Sequence, residues 1–181
     1  GTSAGAAILG NYYFSGERGS VTSNTALADP FAKEITLYKD DFLKAPFLQN
    51  VITDQHFSQR EREGRMAVFL ARVMTDWNKI PLGIAVDEAT AVCIDDKGMA
   101  QVVGNNNAYF LKTYSGKTPE TLNAGQAVTW AREGEAILVS GVSGKLQNNP
   151  FDVSTFEPVS GSEVKNSWWS VIGGKLFVID E

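Results

Sequence analysis

A stripe of apolar residues at helical spacing runs through segment 58–79 of the chain. Apolar side chains recur there every three or four residues, which predicts an amphipathic helix with one buried face. Ser58 followed by Glu61 matches a capping box, so the helix is expected to begin at about Gln59. The residues of the stripe are Met66, Phe69, Leu70, Val73, Met74 and Trp77.

The segment just before this helix has a different pattern. Residues 47–53, with the sequence FLQNVIT, are mostly apolar and β-prone, which predicts a buried strand. We therefore expect Asp54, Gln55 and His56 to lie in a loop between strand and helix. At the start of the chain, residues 3–9 are small and apolar and predict a short helix.

Short β-prone runs replace the helical pattern after Pro81. Two alternating runs flank Gly173 and Gly174, which is a strong signal for a β-hairpin. Segments 11–30 and 141–167 have no sustained period and predict irregular loops, although YYF in the first is a candidate strand. The expected architecture is an α/β first half followed by a β-rich second half.

The composition is ordinary for a globular protein, and it excludes several classes of partner. Of the 181 residues, 43% are hydrophobic and 20% are charged. A net charge of −5 argues against a nucleic-acid partner, and no apolar run reaches the roughly 20 residues of a membrane span. One His and one Cys cannot build a common zinc site, so neither a metal nor a cofactor is expected. Cys93 is expected to be a buried thiol, and it excludes an internal disulfide.

The sequence GTSAG, at residues 1–5, fits the G-x-S-x-G motif of a nucleophile elbow. Small residues allow Ser3 to sit on a sharp turn, and the following helix would point its N–H groups at the reacting atoms. Ala4 N–H is the expected oxyanion donor by position. On its own the motif is weak, because Gly-rich turns of this length are common.

His56 is the single imidazole of the chain, so it alone can serve Ser3 as a general base. It follows a predicted strand, where α/β sheets place their sites. Glu17 is the candidate for the carboxylate that orients His56, and Glu34 and Asp54 are rivals that position does not rank. The carboxylates in DEATA and DDKG are explained by turn chemistry. Asp87 and Glu88, the two carboxylates of DEATA, also follow a strand end, but no role is assigned to them.

Three arginines surround the expected start of the long helix: Arg60, Arg62 and Arg65. A solvated charged face, with Glu61 and Glu63 as partners, is the plain interpretation. Cations near a helix N-terminus are electrostatically unfavourable, however, and the guanidinium fork suits a carboxylate. The cluster therefore favours a substrate with a free carboxylate.

Together these motifs resemble the cyanophycinase-like serine peptidases, peptidase family S51. GTSAGA, at residues 1–6, and DQHFSQREREGRM, at residues 54–66, carry the resemblance, and LGIAVDEATA, at residues 82–91, is also similar to that family. The resemblance covers about residues 1–104. It implies a three-layer α/β sandwich of the class I glutamine amidotransferase-like type, here without its N-terminal half. Residues 105–181 would form a β-rich extension that completes the domain or is appended to it.

The same resemblance implies Ser3 as nucleophile, His56 as base and Ala4 as oxyanion donor, and it favours Glu17 as the acidic member. Glu61 departs from the small residues expected in its segment, as does Glu63, which leaves the exact substrate open. The residues that match the family's pocket-lining segment are Asp54, Gln55, Arg60, Arg62 and Arg65.

The resemblance also implies a reaction. Cyanophycin is a poly-aspartate chain with arginine linked to each side-chain carboxyl through an isopeptide bond. Its family hydrolase releases β-Asp-Arg dipeptides from a chain end. We therefore expect an exopeptidase that hydrolyses aspartyl or isoaspartyl bonds through an acyl-enzyme.

In such enzymes the serine elbow lies mid-chain, after several strands. We therefore expect the chain to be the C-terminal part of a larger protein, whose N-terminal segment is its partner. On its own, the chain is expected to be inactive and poorly folded. A homodimer is left open, and so is the choice between a cytoplasmic and a secreted location.

Two other classes are alternatives. An N-terminal nucleophile hydrolase needs a free Thr amine, but Gly1 precedes Thr2. A non-enzymatic binding module on a peptidase-like fold would use Trp130, Trp168 and Trp169 as an aromatic contact surface, although core packing also explains these residues.

Overall fold

The computed structural model describes residues 1–40 and 43–181 as a mixed α/β fold. The α-helices of this part are α1 (Ala4–Ala7), α2 (Ser23–Ala28) and α3 (Glu63–Trp77), and short 3-10 helices cover Ser58–Arg60 and Arg132–Gly134. The strands are β1 (Tyr12–Phe14), β2 (Leu37–Lys39), β3 (Val51–Gln55), β4 (Leu82–Val86), β5 (Thr90–Ile94), β6 (Met99–Gly104), β7 (Asn107–Lys112), β8 (Ile137–Ser143), β9 (Pro150–Asp152), β10 (Glu157–Pro158), β11 (Val164–Ile172) and β12 (Lys175–Asp180).

In the described part of the chain, eight strands form one large sheet in the order β12-β11-β8-β7-β4-β3-β1-β2. Its centre is parallel, because β3 runs in the same direction as β1 and β4. The flanking pairs are antiparallel. The carboxyl ends of β3 and β4 therefore meet at one edge of the sheet, which is where α/β folds place their sites.

The two faces of the large sheet are covered differently. Helices α2 and α3 pack on the face to which Ile52 belongs. A smaller antiparallel sheet, in the order β10-β9-β6-β5, packs on the face to which Val51 belongs. Strands from both sides of the expected boundary at residue 104 share these sheets, since β7 pairs with β4 and β9 pairs with β6. Residues 105–181 thus contribute to both sheets.

The long helix starts later than its sequence predicts. It begins at Glu63 rather than at about Gln59, because Glu61 has a left-handed backbone with φ of 49°. The expected capping box is wrong. Ser23, from α2, caps the helix instead: its hydroxyl accepts a hydrogen bond from Arg65 N at 3.0 Å and donates one to Glu61 O. The cap is a tertiary contact, which the local sequence does not encode.

Other local predictions have mixed outcomes. The hairpin is confirmed: β11 and β12 pair antiparallel around Gly173 and Gly174, whose φ angles are 55° and 77°. Such positive values favour glycine at both turn positions. The YYF strand is confirmed as β1, but segment 11–30 also contains α2, so the loop prediction is wrong there. Cys93 is exposed, not buried, because alternate side chains of β5 face solvent.

A buried ion cluster joins α3 to β3. Arg65 donates to both carboxylate oxygens of Asp54, from Nε at 2.9 Å and from Nη2 at 2.5 Å. Arg62 Nη1 lies 3.4 Å from Asp54 Oδ1 and donates to the Gln55 carbonyl at 2.6 Å. Burial lowers the pKa of the Arg62 guanidinium, and the neighbouring Arg65 lowers that pKa further, against the opposing effect of Asp54. One carboxylate therefore neutralises two cations within the fold.

Replacing Asp54 by Asn is expected to reduce the free energy of unfolding by about 3–5 kcal/mol, since it leaves two buried guanidiniums without a counter-ion. Urea unfolding followed by circular dichroism measures this change. Asp76→Asn is the matched control, because it breaks the more exposed Arg72–Asp76 pair and is expected to cost about 0.5 kcal/mol. Equal losses in the two variants would contradict a structural role for the Asp54 cluster.

Candidate active site

Ser3 lies in a strained turn directly before α1. Its φ of 48° and ψ of −124° are rare for a residue with a side chain and cost on the order of 1–3 kcal/mol. The Thr53 hydroxyl donates to the Ala6 carbonyl at 2.6 Å and fixes this turn to β3. Gly1 is required sterically, because a Cβ there would lie 2.3 Å from Gly5 O. Gly1, the first glycine of the motif, thus has the packing reason that the motif suggests.

His56 follows β3 immediately and lies opposite the serine. Its Nε2 is 3.4 Å from Ser3 Oγ, and its backbone is also left-handed, with φ of 47°. The next residue, Phe57, is completely buried against the rings of Tyr109 and Trp169. This anchor holds the histidine loop in place.

Glu88 is the carboxylate that contacts the imidazole. Its Oε1 lies 2.8 Å from His56 Nδ1. The backbone around it is fixed on both sides, since Glu88 N donates to Gln59 Oε1 at 2.9 Å and the Glu88 carbonyl accepts from Asn106 Nδ2 at 2.9 Å. Ser3, His56 and Glu88 therefore form a continuous chain of contacts from hydroxyl to carboxylate.

Glu17, the acidic member expected from the sequence, forms no contact with the imidazole in the described residues. Glu17 follows β1, on the other side of β3, and its carboxylate accepts a hydrogen bond from the Tyr38 hydroxyl at 2.7 Å. Within the described residues, neither Glu17 nor its sequence rivals Glu34 and Asp54 contacts the imidazole. The parallel pairing of β3 with β4 brings the β4 end to the histidine instead. The sequence contained a signal for this position, because Glu88 comes just after one of the β-prone runs that follow Pro81.

Asp87 is a second residue of the site to which the sequence analysis assigned no role. It is only 4% exposed, and its Oδ1 accepts from Ser58 N at 2.9 Å. Its Oδ2 lies 3.3 Å from Asn107 N and 3.4 Å from the Tyr109 hydroxyl. One carboxylate thus connects the histidine loop, the end of β4 and the start of β7. This network also fixes the position of Glu88, which follows Asp87 in the sequence.

The backbone N–H of Ala4 is the nearest amide to Ser3 along the chain. The N–H groups of Gly5, Ala6 and Ala7 all donate to carbonyls of the same turn. Within residues 1–40 and 43–181, Ala4 N–H has no backbone acceptor. It is therefore free to donate to a negative charge that develops next to Ser3.

A cleft of about 310 Å³ opens beside the serine and the imidazole. Gln55 lies in its wall, and Gln55 Oε1 is buried without a hydrogen-bond partner in the described part of the chain. A buried acceptor of this kind can be satisfied by a donor on a ligand or by a water molecule in the cleft. The apolar wall is formed by Leu9, Leu48, Ile84, Val86, Val92 and Ile94.

The three arginines do not act as one group. Arg65 is 2% exposed, contacts the rings of Phe14 and Phe69, and has Asp54 as its counter-ion. Arg62 is 7% exposed and also faces Asp54. Both arginines therefore have their counter-ion, Asp54, inside the fold, and a role for these three residues in substrate binding stays a prediction.

Arg60 is the exception within the described residues. It is exposed and forms no ion pair in the part of the chain that the structure describes. Its backbone N–H donates to the carbonyl of His56 at 3.2 Å, so it belongs to the same short turn as the imidazole. Arg60 lies outside the cleft lining. It can therefore meet only a part of a ligand that extends out of the cleft.

Residues 1–40 and 43–181 contain no group of three His, Cys, Asp or Glu side chains placed to hold a metal ion. None of their helices has the length and apolar character needed to cross a membrane.

No protein-family model matches the chain. Three curated proteins named cyanophycinase are similar to part of it. Those of Trichormus variabilis and a Nostoc species are each 34% identical over 107 residues, which is 59% of this chain and 30% of theirs. That of Geminocystis herdmanii is 27% identical over 137 residues, which is 75% of this chain and 39% of its own. The match thus spans well under half the length of these relatives, and the chain has a cyanophycinase-like relationship over that part.

Proposed function

We propose that this chain carries the reacting groups of a serine-type peptidase with a Ser3–His56–Glu88 triad. The observation that carries the proposal is the contact chain from Ser3 Oγ through His56 to Glu88 Oε1. Left-handed backbone at Ser3, at His56 and at Ala89, which follows Glu88, supports it. Strained residues of this kind cluster at functional sites because the surrounding structure must hold them there.

The geometry supports a defined role for each group. Glu88 next to Nδ1 favours the tautomer that carries its proton on Nδ1, which leaves Nε2 of His56 free to accept the proton of Ser3. The serine oxygen then attacks a carbonyl carbon. Glu88 stabilises the imidazolium that forms, and Ala4 N–H donates to the developing oxyanion.

The second half of the reaction uses the same groups in reverse. The imidazolium gives its proton to the leaving amine, and the acyl group remains on Ser3 as an ester. His56 next deprotonates a water molecule, which attacks this ester and releases the acid. The balance is that of hydrolysis: one amide and one water become one acid and one amine.

For the substrate we propose an aspartyl or isoaspartyl peptide of the cyanophycin kind, from which the full protein would release β-Asp-Arg dipeptides. The names of the similar proteins support this choice. Gln55 Oε1 is the proposed acceptor for a substrate N–H in the cleft, and Arg60 is the proposed partner of a substrate carboxylate. The glutamine amidotransferase-like class of the fold and the place of this chain in the C-terminal part of a peptidase belong to the same proposal.

Ser3→Ala is expected to abolish both peptide hydrolysis and covalent labelling by a fluorophosphonate, because the variant lacks the attacking oxygen. Labelling is read by mass spectrometry of the protein that contains this chain. Ser160→Ala, at an exposed serine far along the chain, is the matched control and should label as the wild type does. Labelling that persists in Ser3→Ala, or that is missing from the wild type, would favour a non-enzymatic binding module.

Glu88→Gln is expected to lower kcat by roughly 10²–10⁴-fold, since an amide does not stabilise the imidazolium. Steady-state kinetics on a β-aspartyl dipeptide measure this change. Glu17→Gln makes the same substitution at the competing carboxylate and should leave kcat within about twofold of the wild type. If Glu17→Gln were the damaging variant, the triad assigned to this site would be wrong.

Arg60→Gln is expected to raise KM about tenfold for a substrate with a free carboxylate and to change kcat little, because one charge-assisted hydrogen bond is lost. The effect should vanish with the amidated form of the same substrate. Arg18→Gln, at another exposed arginine, is the control and should behave as the wild type. A KM that does not depend on Arg60 would remove this residue from substrate recognition.

A further inference from the structure

A second cleft, of about 730 Å³, opens on the helix-covered face of the large sheet, where Glu63 begins α3. It shares no lining residue with the cleft beside Ser3. Its lining includes Val139 and Trp169, which belong to the core under α2 and α3, whereas the first cleft includes Ile84 from the core on the other face. The two clefts therefore lie on opposite faces of the sheet, and the proposed reaction does not use the second.

A glycine leaves space at the centre of this cleft. Gly141 of β8 pairs with Tyr109 of β7 on one side and with Lys165 of β11 on the other, so the three residues share one face. A Cβ at Gly141 would have Lys165 O as its nearest neighbour, at 3.5 Å, which is ordinary contact. The volume also falls within the roughly 300–1,000 Å³ of small-molecule sites. The cleft thus has the size of a ligand site.

Carboxylates outnumber cations around the second cleft. Glu63, Glu163 and Asp180 line it, and Lys165 is the one basic residue of its lining in the described part of the chain. None of these four side chains forms an ion pair with another described residue. Even if Lys165 pairs with one carboxylate, the others lack a counter-ion within residues 1–40 and 43–181. The charge of the cleft is therefore complementary to a cation.

Glu63 is the least exposed of the three carboxylates. It is half-buried, whereas Glu163 and Asp180 are exposed. Burial raises the pKa of the Glu63 carboxyl, and the charges of Asp87 and Glu61 raise that pKa further, against the opposing effect of its own backbone N–H. An opposite charge beside a carboxylate stabilises its ionised form. A cation next to Glu63 would thus offset the cost of burying this carboxylate.

Aromatic rings in the same cleft favour an organic cation over a metal ion. Tyr109 and Trp169 line it, and both pack against Phe57 of the histidine loop, which holds them in place. Aromatic faces attract guanidinium and ammonium groups. A hard metal ion needs several oxygen ligands at short range, and the described residues place no three acidic or histidine side chains to hold one.

We propose that this cleft binds a guanidinium group on a short aliphatic chain, with the cation beside Glu63 and the aliphatic chain against Tyr109. The forked N–H donors of a guanidinium suit a carboxylate, and its planar face stacks on aromatic rings. Such a group belongs either to a free small molecule or to an arginine side chain of a peptide. The site rests on its own lining residues, so it does not depend on the proposed hydrolysis.

Saturation-transfer NMR with butylguanidinium tests the site on the protein that contains this chain. Saturable binding is expected, and the neutral isostere butylurea should bind at least about tenfold more weakly. Glu63→Gln should weaken butylguanidinium binding by about tenfold, because a charge-assisted hydrogen bond is lost. Asp96→Asn, at an exposed acid between β5 and β6, is the matched control and should bind as the wild type does.

Two further variants locate the ligand. Gly141→Val should weaken binding at least about tenfold, because its side chain would occupy the cleft, and circular dichroism should show an unchanged fold. Glu88→Gln changes a carboxylate of the other cleft and should leave binding unchanged. A wild type without saturable binding, or equal binding of butylurea, would overturn the proposal. Binding that is lost in Glu88→Gln but kept in Glu63→Gln would overturn it too. No arm requires hydrolysis, so these outcomes are distinct from a failure of the proposed function.

A second ligand identifies the source of the guanidinium. An oligomer of β-Asp-Arg units is titrated into Ser3→Ala, which keeps it intact, and into the Ser3→Ala, Glu63→Gln double variant. An affinity at least about tenfold lower in the double variant would assign the cleft to arginine side chains of a peptide. Equal affinities, together with butylguanidinium binding that depends on Glu63, would assign it to a free small cation.

Discussion

The parallel pairing of β3 with β4 is the constraint on which the site depends. The two strands are in register over their full length, so the residues that follow them emerge together at one edge of the sheet. His56 and Glu88 are far apart in sequence but meet there at 2.8 Å. A shift of the register by one residue would move the side chains of one strand to the other face, and the imidazole would lose its carboxylate.

Strain and burial then act together on this edge. Left-handed backbone at Ser3 and His56 is unfavourable locally and persists only because neighbouring contacts hold it. Those contacts are buried polar interactions on the two faces of β3. Thr53 fixes the serine turn on one face, and Asp54 binds its two arginines on the other. Two of the three arginines that seemed to favour a substrate carboxylate, Arg62 and Arg65, thus stabilise the strand that precedes His56.

The rest of the large sheet has a separate role in the architecture. Strands β7, β8, β11 and β12 extend it in antiparallel order away from the site, and the extension ends in an apolar edge. Within the described residues, β12 has a partner strand on one side only.

Local sequence patterns determined the elements that depend only on residues close together in the chain. The apolar stripe specified the buried face of α3, Gly173 and Gly174 specified the hairpin, and small residues around Ser3 specified the sharp turn before α1. The motifs also identified Ser3 and His56, because a nucleophile and a single imidazole carry their chemistry in their residue type. The helix cap from Ser23, the partner of Arg65 and the carboxylate at His56 were decided only by the tertiary structure. Each of these is a contact between distant segments, and which carboxylate reaches a given group depends on which strands are neighbours in the sheet, a property that no local pattern contains.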